Sequence, residues 1–134
     1  MERKKFEFVK PKIVKTVEKD PESIFRELQI PNIKGLWSQQ ADILREYYNK
    51  FKTNPDVAIE LPTGTGKTLI GLLIAEYRRR CHQERVLYLC PTKQLAKQVY
   101  SKAKEYGLPA SLLIGPQKEY SEEEYGNYVT SKSV

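Results

Sequence analysis

Five residues in the middle of the chain, Gly64, Thr65, Gly66, Lys67 and Thr68, set two glycines, a lysine and a hydroxyl in an order suited to anion chemistry. Gly64 and Gly66 can turn successive backbone N–H groups toward one centre, and a helix starting just after them aims its own amides at the same point. Such a nest fits phosphate oxygens. Lys67 reaches the β and γ phosphates of a nucleotide as a point charge, while the Thr68 hydroxyl ligates a Mg2+ bridging those oxygens. Lys67 and Thr68 are therefore the candidate catalytic pair and Thr68 the candidate metal ligand. The candidate cofactor loop runs through Pro62, Thr63, Gly64, Thr65, Gly66, Lys67 and Thr68, with ATP and Mg2+ as its cofactors. In LPTGTGKT, Leu61 stands where the strict phosphate-loop pattern has glycine, so the match is to a relaxed form. The competing reading is an ordinary glycine turn. Chance produces GxGK[ST] on the order of once in a few hundred chains this long, and a required strand before and helix after lower that further.

The flanking sequence predicts both elements. Asn54, Pro55 and Asp56 are turn residues that introduce a short apolar run over 57–61, suited to a buried strand. Residues 68–80 are apolar nearly all round in their first two turns and end in three arginines that favour the helix dipole. A second apolar strand follows at 86–90. Leu95, Val99, Ala103 and Tyr106 then mark one side of a helix that Gly107 stops, and a third strand over 110–114 ends at Gly115 and Pro116. Strand, helix, strand, helix, strand predicts an α/β fold with a parallel sheet and right-handed crossovers.

Upstream, Asp20 and Pro21 predict a capped helix carrying Ile24, Phe25 and Leu28 on one face. Ser38 is the expected cap of a second helix, with Trp37, Ala41, Leu44, Tyr48 and Phe51 as its apolar stripe. The first fifteen residues alternate lysine with Phe6, Phe8, Ile13 and Val14, as a short edge strand or extended arm would. Ser121 with Glu124 reads as a capping box opening a last helix.

A chain of 134 residues supports a single core, and its net charge of +6 favours anionic partners without resembling a basic tail. Two cysteines, Cys81 and Cys90, are too few for a disulfide scaffold and lie in no zinc-type spacing, so reduced thiols in the cytoplasm are expected. No stretch approaches the ~20 apolar residues of a membrane span.

The exit of the second strand, Leu89-Cys90-Pro91-Thr92-Lys93-Gln94-Leu95-Ala96-Lys97-Gln98, joins LPTGTGKT in a larger pattern. Together they resemble motifs I and Ia of superfamily 2 DEAD/DEAH-type helicases of the bacterial kind. Trp37-Ser38-Gln39-Gln40-Ala41-Asp42 is similar to that family's upstream glutamine segment, and the 26 positions from Gln40 to Gly66 resemble its spacing. The resemblance covers roughly 36–115. It implies a P-loop NTPase (RecA-like) fold, a three-layer parallel sheet with flanking helices. It also implies that Gln40 reads adenine, that Gly64 through Thr68 hold phosphates and Mg2+, and that Pro91, Thr92, Lys93 and Gln94 touch a nucleic-acid backbone, with Gly115 matching the loop before motif Ib. A helix N-terminus with a free hydroxyl and a lysine is a good phosphate contact that reads no bases.

Each of these residues has a plainer reading. Gln40 can satisfy a loop carbonyl, Lys93 and Lys97 can form a solvated face, and Trp37, Tyr47 and Tyr48 can be packing residues rather than stacking platforms. His82 is expected to be exposed and inert, and Arg78 to Arg80 lie at the far end of their helix from the loop.

An ATPase of the resembled class also needs an acid at the end of a buried strand. The only acidic cluster downstream is Glu122, Glu123 and Glu124, and no DExH or DEAD sequence or second RecA-like lobe follows. The expectation is the N-terminal portion of a helicase ATPase domain, truncated and catalytically incomplete alone. Residues 1–35 would be an arm and short helix, and 36–134 a partial RecA-like unit. Unpaired strand edges would make its stability marginal or dependent on oligomers. Expected partners are single-stranded or duplex nucleic acid, DNA or RNA, and the remainder of the helicase or a partner subunit, with no membrane. Two readings from other classes remain: a non-catalytic interaction module that keeps the loop, and a small P-loop kinase, which would need an arginine-bearing lid.

Overall fold

The computed structural model describes residues 19–134; the expected N-terminal arm lies outside the described residues. Five helices carry the architecture: α1 (Pro21–Leu28), α2 (Ser38–Glu46), α3 (Lys67–His82), α4 (Lys93–Glu105) and α5 (Glu122–Val129). A π-helical turn, Tyr47–Phe51, extends α2, and a 3-10 turn, Gln117–Glu119, precedes α5.

The local signals work as expected at the start of α1 and at the end of α4. Asp20 Oδ1 accepts the Ser23 amide at 2.8 Å with Pro21 as the first helical residue. Thr92 Oγ1 caps α4 by accepting the Leu95 amide at 3.2 Å. Beyond Gly107 the Leu108 amide returns to Ala103 O at 2.9 Å, closing that helix.

Helix α2 starts differently. Trp37, not Ser38, is its N-cap, and the Trp37 amide donates to Gln40 Oε1 at 3.0 Å, so Ser38 falls inside the helix. Trp37 is 60% exposed rather than packed. The π turn inserts an extra residue per turn and rotates the stripe. Tyr47, three residues on from Leu44, is buried, Tyr48 is half-buried against the same core as expected, and Phe51 is exposed.

Helix α3 is the spine of the core, burying Leu69, Ile70, Leu72, Leu73 and Tyr77. Ile24, Phe25, Ile30, Leu44 and Tyr47 join the same cluster, as do Ala103, Tyr106 and Leu108. One charged residue shares this interior. Glu76 is fully buried and accepts bonds from Arg79 and Arg80, while Arg79 also donates to Ser131 O at 2.9 Å and Arg80 to Glu27 at 2.9 Å. The two arginines thus tie α1, α3 and the C-terminal turn together.

The expected parallel sheet does not form among the described residues. Segments 57–61, 86–90 and 110–114 all lie outside helices, yet none belongs to a strand ladder. A ladder requires backbones about 4.8 Å apart. Here 86–90 and 110–113 instead line one cavity of about 120 Å³ together with Val99 and Ala103 of α4. The cross-chain backbone bonds of 109–111 go to the last residue: Ser111 N to Val134 O at 2.8 Å, and Val134 N to Pro109 O at 3.0 Å. Without lateral neighbours, Val57 and Ile59 stay exposed and only Leu61 of that run enters the core. Residues 86–90 still alternate as a strand would, with Leu87 and Leu89 exposed and Val86, Tyr88 and Cys90 half-buried.

The capping box of α5 is half made. Ser121 Oγ accepts the Glu124 amide at 3.5 Å, but Glu124 Oε1 takes the Leu112 amide instead of returning to the cap.

Candidate functional site

The glycine loop sits directly before α3. Gly64 and Gly66 both adopt left-handed backbone, with φ of +81° and +76°, a region that side-chain-bearing residues occupy only with strain. Gly66 is the N-cap of α3, and no side chain caps that end. The first amides of a 16-residue helix are therefore left for an outside acceptor, next to the positive end of its dipole. Lys67 and Thr68 are the first two residues of the helix; Lys67 is exposed and makes no ion pair among the described residues. Pro62 and Thr63 are exposed on the loop, and Thr65 folds inward so that its hydroxyl donates to Pro62 O. Loop and helix end together fit a triphosphate by backbone donors and one ammonium.

Gln40 braces this loop from α2. It is 6% exposed, and its Nε2 donates to Thr65 O at 2.7 Å while its Oε1 holds the Trp37 amide. A Cβ on Gly66 would lie 2.5 Å from Gln40 Nε2, so the glutamine occupies the space that a side chain at Gly66 would need. Both ends of the Gln40 amide thus have partners within the chain, one of them a loop carbonyl.

Thr68 has a neighbour that sequence reasoning passed over. Burial pushes the Tyr88 pKa up, the nearby Thr68 side chain offsets part of that rise, and Cys90 adds a smaller upward push. The signal was Gly71, a glycine inside an apolar helix, where helix propensity argues against it. Its bare Cα admits the Tyr88 ring, whose Cε2 comes to 3.0 Å of the place a Cβ would take.

The second candidate cluster lies at the N-terminus of α4. Pro91, Thr92, Lys93 and Gln94 are all exposed. The Thr92 oxygen is not free as expected, since it caps the helix. A cleft of about 560 Å³ has Thr68 on one wall and Gln94, Leu95, Lys97 and Gln98 on the other, so it brings Thr68 and Gln94 to one opening. Gly115 is no part of that lining; it occupies an exposed turn with φ of +80°. His82, exposed as expected, is not isolated: its Nε2 lies 3.0 Å from the Tyr77 hydroxyl. Glu122, Glu123 and Glu124 form the first turn of α5. Among the described residues no group of three or more His, Cys, Asp or Glu could hold a metal, and no helix is long and apolar enough to cross a membrane. Cys81 and Cys90 are free thiols.

The family described as DEAD/DEAH box helicase matches residues 37–130, a span holding Gln40, the loop, α3, the Pro91–Gln94 cluster and α4. The chain belongs to the DEAD/DEAH box helicase family. The RecA-like P-loop class of fold follows from that membership. ATP-dependent RNA helicase DDX51 of Danio rerio is 32% identical over 118 aligned positions, covering 76% of this chain and 18% of that protein. ATP-dependent RNA helicase RhlB of Hamiltonella defensa is 39% identical over 69 residues, covering 45% of this chain and 16% of RhlB. Reverse gyrase 2 of Aeropyrum pernix is 39% identical over 67 residues, covering 50% of this chain and 5% of the gyrase. The chain thus spans less than a fifth of each of these relatives. No solved structure matches it.

Proposed function

We propose that this helicase-family chain binds ATP with Mg2+ at residues 62–68 and conveys the nucleotide's presence to a nucleic-acid backbone at Pro91–Gln94, within ATP-dependent remodelling of RNA or DNA. One observation carries the reading: two left-handed glycines lead into an uncapped helix end whose first residues are Lys67 and Thr68. The backbone amides of Gly64, Gly66, Lys67 and Thr68 hold the phosphates while the Thr65 amide closes the loop on Pro62 O, Lys67 neutralises their outer charge, and Thr68 offers a lone pair to Mg2+. When bound, Mg2+ supplies charge neutralisation of the phosphate oxygens. Gln40 recognises adenine once it exchanges its Thr65 bond, and Thr92 keeps a hydroxyl proton to donate to a phosphate while its oxygen caps α4. Lys93 and Gln94 add a charge and an amide at the same helix end, and Gly115 adds a backbone contact before the next segment. The names of two relatives, ATP-dependent RNA helicases, favour RNA as the first nucleic acid to test.

We infer further that 57–61, 86–90 and 110–114 are strands of a parallel sheet completed by additional strands, from the rest of a helicase or a partner subunit. The alternating burial of 86–90 supports this. Residues 1–35 then supply an N-terminal arm and the short helix α1, which joins the core, and 36–134 the nucleotide-binding part, in the reducing cytoplasm that suits two free thiols. Hydrolysis draws on an acid outside Glu122–Glu124, which serve as a helix N-terminus.

Titration of fluorescent ATP analogue in Mg2+ tests the reading. Wild type binds saturably, and Lys67→Ala weakens binding about tenfold or more, as loss of a charge-assisted phosphate bond requires. Equal affinities would overturn it.

A further inference from the structure

We propose that Thr65 is a positioning residue for the phosphate loop: its hydroxyl, anchored on the Pro62 carbonyl, holds Gly64 and Gly66 in the left-handed backbone that presents their amides to phosphate. The inference deepens the nucleotide reading above and rests on it.

Every polar group of Thr65 is engaged within the chain. Its hydroxyl donates to Pro62 O, its amide donates to the same oxygen at 3.4 Å, and its own carbonyl accepts from Gln40 Nε2 at 2.7 Å. An amide bond of 3.4 Å lies beyond the usual range of about 2.7–3.2 Å, so the hydroxyl makes the firmer half of the closure. Such a side-chain bond to a carbonyl three residues back is a local alternative to regular structure, and here it ties the two ends of a turn. Thr65 is buried, whereas Pro62, Thr63, Gly64, Gly66 and Lys67 around it are exposed. The glycines on either side of it have φ of +81° and +76°. Among the described residues the amides of Gly64, Gly66, Lys67 and Thr68 bond to no acceptor, while the Thr65 amide does. Valine has nearly the shape of threonine, so the hydroxyl is the part that burial alone leaves unexplained.

Glycine enters the left-handed region and the ordinary one at similar cost, so nothing in Gly64 and Gly66 themselves selects the phosphate-ready form. A residue between them that is fixed through its hydroxyl, amide and carbonyl does select it. A ligand then binds without having to order the loop, and its apparent affinity rises with the fraction of molecules already in that form.

The test titrates fluorescent ATP analogue in Mg2+ into the full chain and two variants. Thr65→Val should weaken binding about fivefold, the worth of one neutral hydrogen bond, and Thr65→Ser, which keeps the hydroxyl, should stay within about twofold of wild type. The Hα couplings of Gly64 and Gly66, recorded without ligand, should report left-handed φ in wild type and Thr65→Ser and averaged φ in Thr65→Val. Thr65→Val binding as tightly as wild type or more tightly overturns the proposal, and so do glycine couplings that Thr65→Val leaves unaltered. A Thr65→Ser loss equal to that of Thr65→Val also overturns it, since the lost methyl group would then be the cause. All of these results leave the nucleotide reading standing. If wild type itself does not bind the analogue saturably, that reading falls, and the role of Thr65 falls with it.

Discussion

Replacing Gln40 by alanine should loosen the glycine loop from α2 by an amount set by its two bonds. The Nε2 bond to Thr65 O is 2.7 Å and the Oε1 bond from the Trp37 amide is 3.0 Å, both made by a side chain only 6% exposed. Each neutral bond is worth about 1 kcal/mol net, and a Thr65 carbonyl left without a donor adds a penalty of about 1 kcal/mol or more. Loss of about 2–3 kcal/mol follows, or roughly 10 °C in thermal midpoint for a domain of this size. Gln40→Glu separates the two bonds, since a carboxylate still accepts from Trp37 but cannot donate to Thr65; its loss should be at least as large as that of the alanine variant. A cycle with Gly66→Ala extends the reasoning. In wild type the new Cβ meets Gln40 Nε2 at 2.5 Å and also strains a φ of +76°, whereas in Gln40→Ala only the strain of about 1–2 kcal/mol remains. Urea and thermal denaturation of the four proteins read both effects. Gln40→Ala unfolding within about 0.5 kcal/mol of wild type, or strictly additive cycle energies, would refute the bracing role.

Two further perturbations probe the frame that carries the loop. Glu76→Ala should cost about 3 kcal/mol by urea denaturation, because it removes the fully buried carboxylate that Arg79 and Arg80 share and leaves each with one remaining partner; a wild-type midpoint would show that the network contributes nothing. Glu22 is held below its ordinary carboxyl value of 4.5 chiefly by the hydrogen bond from Arg45, and Arg26 helps. A lowered folded-state pKa stabilises above the unfolded value and loses that contribution as pH falls through the folded one. The stability advantage of wild type over Glu22→Gln should therefore be steady near neutral pH and shrink below about 4.5; an advantage independent of pH down to 3 would contradict it.

What could be read from the residues depended on how local its cause was. Asp20 with Pro21 and Gly107 after α4 act through bonds spanning a few residues, and both stand where the sequence predicts; Thr92, expected to keep a free hydroxyl, caps α4 instead. The phosphate-type loop was legible for the same reason, since its conformation rests on Gly64 and Gly66 themselves. The parallel sheet was not, because a strand needs a lateral partner that its own residues cannot supply. Thus 57–61 has the composition of a buried strand and yet leaves Val57 and Ile59 exposed. The π turn at Tyr47–Phe51, beyond which Phe51 is exposed, was hidden because such a turn leaves no mark on a stripe read at ordinary helical spacing. Glu76 did leave a mark, an acid three and four residues before Arg79 and Arg80, though the arginines were read only against the helix dipole.

The account stands on backbone amides converging at the start of α3. Amide proton and nitrogen shifts, recorded during titration with Mg-ADP, measure that convergence directly. The largest changes should fall on Gly64, Gly66, Lys67 and Thr68, with Tyr88 and Gln40 following. Shifts that leave the loop untouched, or that cluster elsewhere on the chain, would contradict it.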